Sequence, residues 1–167
     1  MNLSRRTLLS GSIVATLTGG MALPDAAFAA WDKGQAVVLP SLALLDGTVL
    51  DVSDLRGKVV VVEFWASWCP FCAKQNPLIE AIYREHRARG LEVVAVSIDK
   101  SRKAAENYLR THRYTFKVGM INPAYEAIFR LRKGLPQTYV IGRDGRVAKF
   151  DMGEMFDEDV KAIAQYL

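Results

Sequence analysis

The chain has 167 residues, of which 50% are apolar and 24% charged, and carries a formal net charge of +4. This is ordinary globular composition, so disordered, collagen-like and disulfide-framed classes drop out, and two cysteines cannot frame a fold. So small a positive surplus gives nucleic-acid binding no support, and no nucleic-acid partner is expected.

Residues 1–29 read as a cleaved export signal. Arg5 and Arg6 precede a charge-free run over 7–24, and Ala27-Phe28-Ala29 has the small-x-small form of a signal-peptidase site. Serine, threonine and glycine interrupt the run, which makes it a poor membrane span, although an uncleaved anchor stays open. Ser4-Arg5-Arg6-Thr7-Leu8-Leu9 resembles a twin-arginine signal, and an ordinary Sec signal can also begin with two arginines. Either route leads out of the reducing cytosol, and the expected destination is a bacterial periplasm, with 30–167 as the mature single domain.

The mature chain begins with two short strands, 42–45 and 48–52, around the turn dipeptide Asp46-Gly47. Asp54-Leu55-Arg56-Gly57 connects them to 58–64, a run so apolar and β-branched that it reads as a central strand buried on both faces. Ile79, Ile82, Tyr83 and His86 recur at helical spacing, and Gly90 closes that helix. A strand over 91–98 follows, then helices from Ser101 to about His112 and over 123–131. Strands at 138–141 and 147–150 flank the turn Asp144-Gly145, and 156–167 reads as an amphipathic closing helix. The pattern is α/β, a central mixed sheet with helices on both faces.

Both cysteines lie in Trp68-Cys69-Pro70-Phe71-Cys72-Ala73, directly after the buried strand and at the start of the first helix. Unpaired N–H groups and the helix dipole stabilise an anion at a helix N-terminus, and a thiolate at Cys69 would be that anion. The thiolate is the attacking species in disulfide exchange, and Cys72 lies one turn away to resolve a mixed disulfide. Pro70 suits a first turn, where its missing N–H has no partner to lose. Covalent haem attachment needs histidine where Ala73 stands. A structural zinc site needs four ligands, and His86 and His112 fall on separate helices, so no metal is expected. An inert disulfide and a Cu(I) site built from two soft thiolates remain open.

Residues 63–72 together with Pro77 resemble the active-site segment of thioredoxins, and Gly134-Leu135-Pro136-Gln137-Thr138 followed by Asp144-Gly145-Arg146-Val147 resembles that fold's second hallmark. The leading hairpin, the approach through Lys58 and the added helix before Pro136 are most similar to the TlpA/ResA-like branch. The resemblance implies a thioredoxin-like fold with an N-terminal β-hairpin and a central helical insertion before the cis-proline strand. It implies Cys69 as an exposed nucleophile, Cys72 as the resolving thiol, Pro136 as a cis proline facing the pair, and Glu63 as a buried acid that exchanges a proton with Cys72. No lysine stands in the neighbouring strand to neutralise Glu63, so its pKa should rise or its side chain should turn to water.

Trp65 is expected in the core or as a wall of the site, whereas Trp68, Pro70, Phe71 and Leu135 face substrate. The basic residues Arg84, His86, Arg87 and Arg89 are expected on a solvated face. The implied activity is thiol–disulfide oxidoreduction without a bound cofactor, in the reductase direction, on exported disulfide-containing proteins such as apocytochromes or copper-site assembly factors. A membrane thiol donor supplies the electrons, and the protein is expected to be monomeric. A net oxidase or isomerase is the alternative, disfavoured because the large helical insertion of DsbA-like oxidases is missing. A peroxiredoxin-like site needs threonine or serine where Ala66 stands.

Overall fold

The computed structural model describes residues 33–167, so the segment read as an export signal, with its expected cleavage site, lies outside the described residues. Seven strands and four α-helices follow in chain order: β1 (Leu42–Ala43), β2 (Val49–Leu50), β3 (Val59–Trp65), α1 (Pro70–His86), β4 (Leu91–Ser97), α2 (Arg102–His112), β5 (Lys117–Met120), α3 (Pro123–Phe129), β6 (Gln137–Ile141), β7 (Val147–Met152) and α4 (Asp157–Lys161). A five-stranded sheet runs in the order β5-β4-β3-β6-β7. Strands β3, β4 and β5 are parallel, and β6 and β7 are antiparallel to their neighbours, so the sheet is mixed as expected.

All seven residues of β3 are buried, because helices cover both faces of the sheet. Successive side chains of a strand point to opposite faces. Val59, Val61 and Trp65 accordingly join one apolar cluster with Ile79 and Ile82 of α1 and with Val160 and Ile163 of the C-terminal segment. Val60, Val62 and Phe64 join the other, with Leu42, Leu50, Tyr125 and Phe129. Each such side chain contributes about 1.5–3 kcal/mol by leaving water. Glu63 shares the parity of Val61 and Trp65, so its carboxylate is directed to the face that α1 covers.

The first hairpin is shorter than expected, with two residues in each strand. Its Asp46-Gly47 turn forms as read, with Gly47 at φ 91° and Asp46 Oδ1 accepting from Thr48 N at 2.9 Å. Val52, expected at the end of the second strand, instead opens a 3₁₀ turn over Val52–Leu55 within the short connection, started by Asp51, whose side chain accepts from Ser53 N. The closing helix also differs. It is α-helical only over Asp157–Lys161 and tightens to 3₁₀ over Ala162–Tyr166.

The largest departure is β5, a strand that the sequence reading did not include. It pairs in parallel with β4 over four residues, at the sheet's edge. Short edge strands with a glycine and a half-buried lysine carry little periodic signal, and this one is set by distant contacts. Glu92 of β4 pairs with Lys117 at 2.6 Å and with Lys58 at 3.5 Å. Glu80 of α1 accepts from Thr115 N and Oγ1, both at 2.8 Å. Leu42 of the hairpin packs so closely on Gly119 that a Cβ there would lie 2.5 Å from it.

Candidate active site

Strand β3 ends at Trp65, the loop Ala66-Ser67-Trp68 turns the chain, and Cys69 caps α1. Cys69 Sγ accepts from Cys72 N at 3.2 Å, so one of the helix's unpaired N–H groups already points at the sulfur where a thiolate would form. Pro70 occupies the first helical position, as expected. The two cysteines are paired as a disulfide, with Cα atoms 5.3 Å apart.

Beneath them, Glu63 is wholly buried, which removes the solvated alternative. Gln75 Nε2 donates to Glu63 Oε1 at 2.8 Å and to Thr138 Oγ1 at 3.0 Å, while Gln75 Oε1 accepts from Met155 N at 2.7 Å. With its amide turned to meet acceptors, Asn76 donates to both Glu63 oxygens, at 3.1 and 3.3 Å, and to the carbonyl oxygen of Cys72 at 3.1 Å. Desolvation pushes the Glu63 pKa up to about 8, against the smaller lowering effect of the Gln75 hydrogen bond, and no lysine or arginine acts on it.

The loop that leads into Cys69 is held by a second buried carboxylate. Asp99, just beyond the end of β4 and 6% exposed, accepts from Ser67 N at 2.9 Å, Ser67 Oγ at 2.8 Å and Ser97 Oγ at 2.8 Å. Three hydrogen bonds satisfy the charge and fix the turn that aims Trp68 and Cys69.

The bond between Leu135 and Pro136 is cis, in agreement with the reading from resemblance. Leu135 lies across a cleft of about 490 Å³ from Trp68, Cys69, Pro70 and Phe71, so the site residues expected to face substrate do line one cavity. Trp68 is 66% and Phe71 50% exposed, whereas Trp65 is fully buried against Tyr108, with ring centroids 5.1 Å apart.

Two expectations need correction. Cys69 is not an open, exposed residue: in the disulfide state it is 4% exposed, and it lines the cleft together with Trp68 and Pro70. His86 is not on a solvated face either, because it continues the inward row of α1 at helical spacing and is buried, while Arg84, Arg87 and Arg89 are exposed.

Gln75, Asn76 and Asp99 were absent from the sequence reading. Extending the row 86, 83, 82, 79 toward the helix start reaches 76, 75 and 72, which would have placed two amides on the buried face below the cysteines. Asp99 carries a weaker signal, a polar residue following a parallel strand, at the end of the sheet where sites of α/β proteins gather. Among the described residues, no group of three or more histidine, cysteine, aspartate or glutamate side chains is placed to hold a metal ion, and no helix is long and apolar enough to cross a membrane.

The family model Redoxin matches residues 19–167. A thiol-disulfide oxidoreductase ResA of Bacillus cereus is 30% identical over 122 residues, covering 72% of this chain and 70% of that protein. A ResA of Bacillus thuringiensis is 29% identical over 158 residues, 92% of this chain and 87% of its own. Among solved structures, a thiol:disulfide interchange protein DsbE from Chlorobium tepidum superposes with a TM-score of 0.72 at 29% identity, covering 81% of this chain and 95% of that one. With a thioredoxin-like sheet, a cysteine pair at the start of its first helix and a cis bond between Leu135 and Pro136, the chain belongs to the Redoxin family and is a thiol–disulfide oxidoreductase of the ResA-like kind.

Proposed function

We propose that this protein is an exported protein-disulfide reductase that works through the Cys69–Cys72 couple without a bound cofactor. The observation that carries the reading is the combination of an apolar cleft lined by Cys69, Cys69 at a helix N-terminus, and a buried, unneutralised acid linked to Cys72 through Asn76. Support for the direction comes from the resemblance to the TlpA/ResA-like branch and from the core side of the pair, where no cation acts on Glu63. Strong oxidants of this fold owe their potential to a stabilised reduced form, and a buried acid in place of a cation supplies no such stabilisation.

In the reductive half-reaction, the Cys69 thiolate attacks one sulfur of the substrate disulfide. A Cys69–substrate disulfide forms, and the displaced substrate sulfur leaves as thiolate and takes a proton from solvent. Cys72 then gives its proton to the Glu63 carboxylate and attacks Cys69 Sγ. The Cys69–Cys72 disulfide forms, and the second substrate sulfur leaves. Two electrons have passed to substrate, and a dithiol donor at the membrane restores the pair. At pH 7 about a tenth of Glu63 is ionised and able to accept that proton, given its pKa of about 8. Leu135, preceding the cis proline, offers backbone for strand-like pairing with the substrate segment. Export to the periplasm and action on exported proteins, apocytochromes or copper-site assembly factors among them, complete the reading.

The test is reduction of a protein disulfide by the pre-reduced protein, run beside Cys69→Ser and beside Cu(I) titration. Turnover that disappears in Cys69→Ser supports the reductase. Stoichiometric Cu(I) binding without any disulfide turnover would replace it with a metal-binding role.

A further inference from the structure

The cleft beside the cysteines is apolar along its walls and cationic at its lip. Trp68, Phe71, Ile98 and Leu135 supply apolar surface, and the charged side chains that line the cleft are Arg132 and Lys133, with no carboxylate among its lining residues. The segment that carries both cations is firmly built. Gln137, wholly buried one residue after Pro136, donates to the carbonyl oxygens of Arg132 at 2.7 Å and Gly134 at 2.9 Å, and its own oxygen accepts from Arg132 N at 3.3 Å. The Arg132 guanidinium also packs over the Phe150 ring, 5.8 Å from its centroid. A fully buried amide is thus spent on fixing the backbone of two exposed basic residues at the mouth of the redox site. On the helix side of the mouth, Lys74 lies over the Phe71 ring at 5.8 Å, and its nearby acid Glu154 is engaged with it at 3.5 Å.

We infer that the cleft selects extended polypeptide segments bearing an acidic side chain within a few residues of the cysteine to be reduced, the carboxylate meeting Arg132 and Lys133 while an apolar neighbour lies against Trp68 and Phe71. This rests on the reductase reading of the same site. Complementary charge at the rim of an interface acts mainly on encounter and register, and is weakened by salt. Basic segments near a target cysteine are disfavoured by the same two cations.

The test uses two peptides that differ only by Glu or Gln two residues from a cysteine activated as its 2-pyridyl disulfide, a neutral leaving group. Each reacts with the pre-reduced protein in a single turnover, and release of 2-thiopyridone gives the second-order rate constant. The Glu peptide is expected to react about threefold to tenfold faster at low ionic strength, with the gap shrinking in high salt. Arg132→Glu combined with Lys133→Glu should invert the preference; both side chains are exposed. Equal rates for the two peptides, or a preference that survives the charge reversal, would overturn the inference while leaving the reductase reading intact. Failure of both peptides to react with protein that still shows two titratable thiols would overturn the reductase reading and the inference with it.

Discussion

Gln75 Nε2 lies 2.8 Å from Glu63 Oε1, and the same amide reaches Thr138 on β6 and the backbone of Met155 ahead of α4. One side chain, a single helical turn beyond Cys72, therefore ties the redox helix, the acid-bearing strand and the cis-proline strand together. Gln75→Leu should lower stability by about 3 kcal/mol, because it leaves Thr138, Met155 N–H and the acid short of partners. It should also push the Glu63 pKa above about 8, since Gln75 is what lowers it. The pH profile of mixed-disulfide resolution checks this: its rising limb should move to higher pH, a displacement that a purely structural role would not give.

Glu63→Gln tests the acid itself. The folded state holds the proton to about pH 8, whereas the unfolded chain releases it near 4.5. Between those values the native state binds more protons than the unfolded one, so stability falls as pH rises through this window and levels off above pH 8. The penalty is on the order of 5 kcal/mol when complete, at about 1.4 kcal/mol for each tenfold displacement. Denaturant titrations at pH 5 and pH 8.5 should show this fall in the parent and a flatter profile in the Gln variant. Resolution of the mixed disulfide should slow about a hundredfold in that variant, the usual scale of a lost general base.

Asp99→Ala removes the acceptor that holds Ser67 N and Oγ ahead of Cys69. Stranding these half-buried donors and the buried Ser97 hydroxyl should cost about 3 kcal/mol, or roughly 10 °C in Tm, and alkylation of reduced Cys69 should change with them. Asp99→Asn keeps half of the acceptor capacity and should restore most of the melting temperature. Unchanged Tm in the Ala variant would show that the loop is held by its own packing.

Cys72→Ser should accumulate a Cys69–substrate disulfide visible on non-reducing gels, and Cys69→Ser should accumulate none. Finding the adduct on Cys72 instead would reverse the two roles. The burial of Cys72 at 0% exposed against 4% for Cys69, which lines the cleft, sets the expected order.

Much of this was legible in the chain. The run 58–64 could only be a doubly covered strand, and the cysteine pair at its exit carries its helix-start chemistry in two residues, Cys69 and Pro70. What escaped reading depends on partners far away in sequence. Strand β5 owes its pairing to β4 and its anchoring to Glu80 and Glu92. Asp99 becomes a clamp only when β4 lies beside β3. Gln137 looks like one more strand residue until the segment at 132–134 folds over it. Gln75 and Asn76 could have been found from helical spacing, since both fall on the row that includes Ile79 and Ile82.

The most direct measurement is the reduction potential of the Cys69–Cys72 couple, by thiol trapping of the purified protein in graded redox buffers. The account predicts a value near or below that of thioredoxin, about −270 mV, as required of a reductase fed from a dithiol donor. A value near about −120 mV, that of DsbA, would contradict it and make the protein a donor of disulfides.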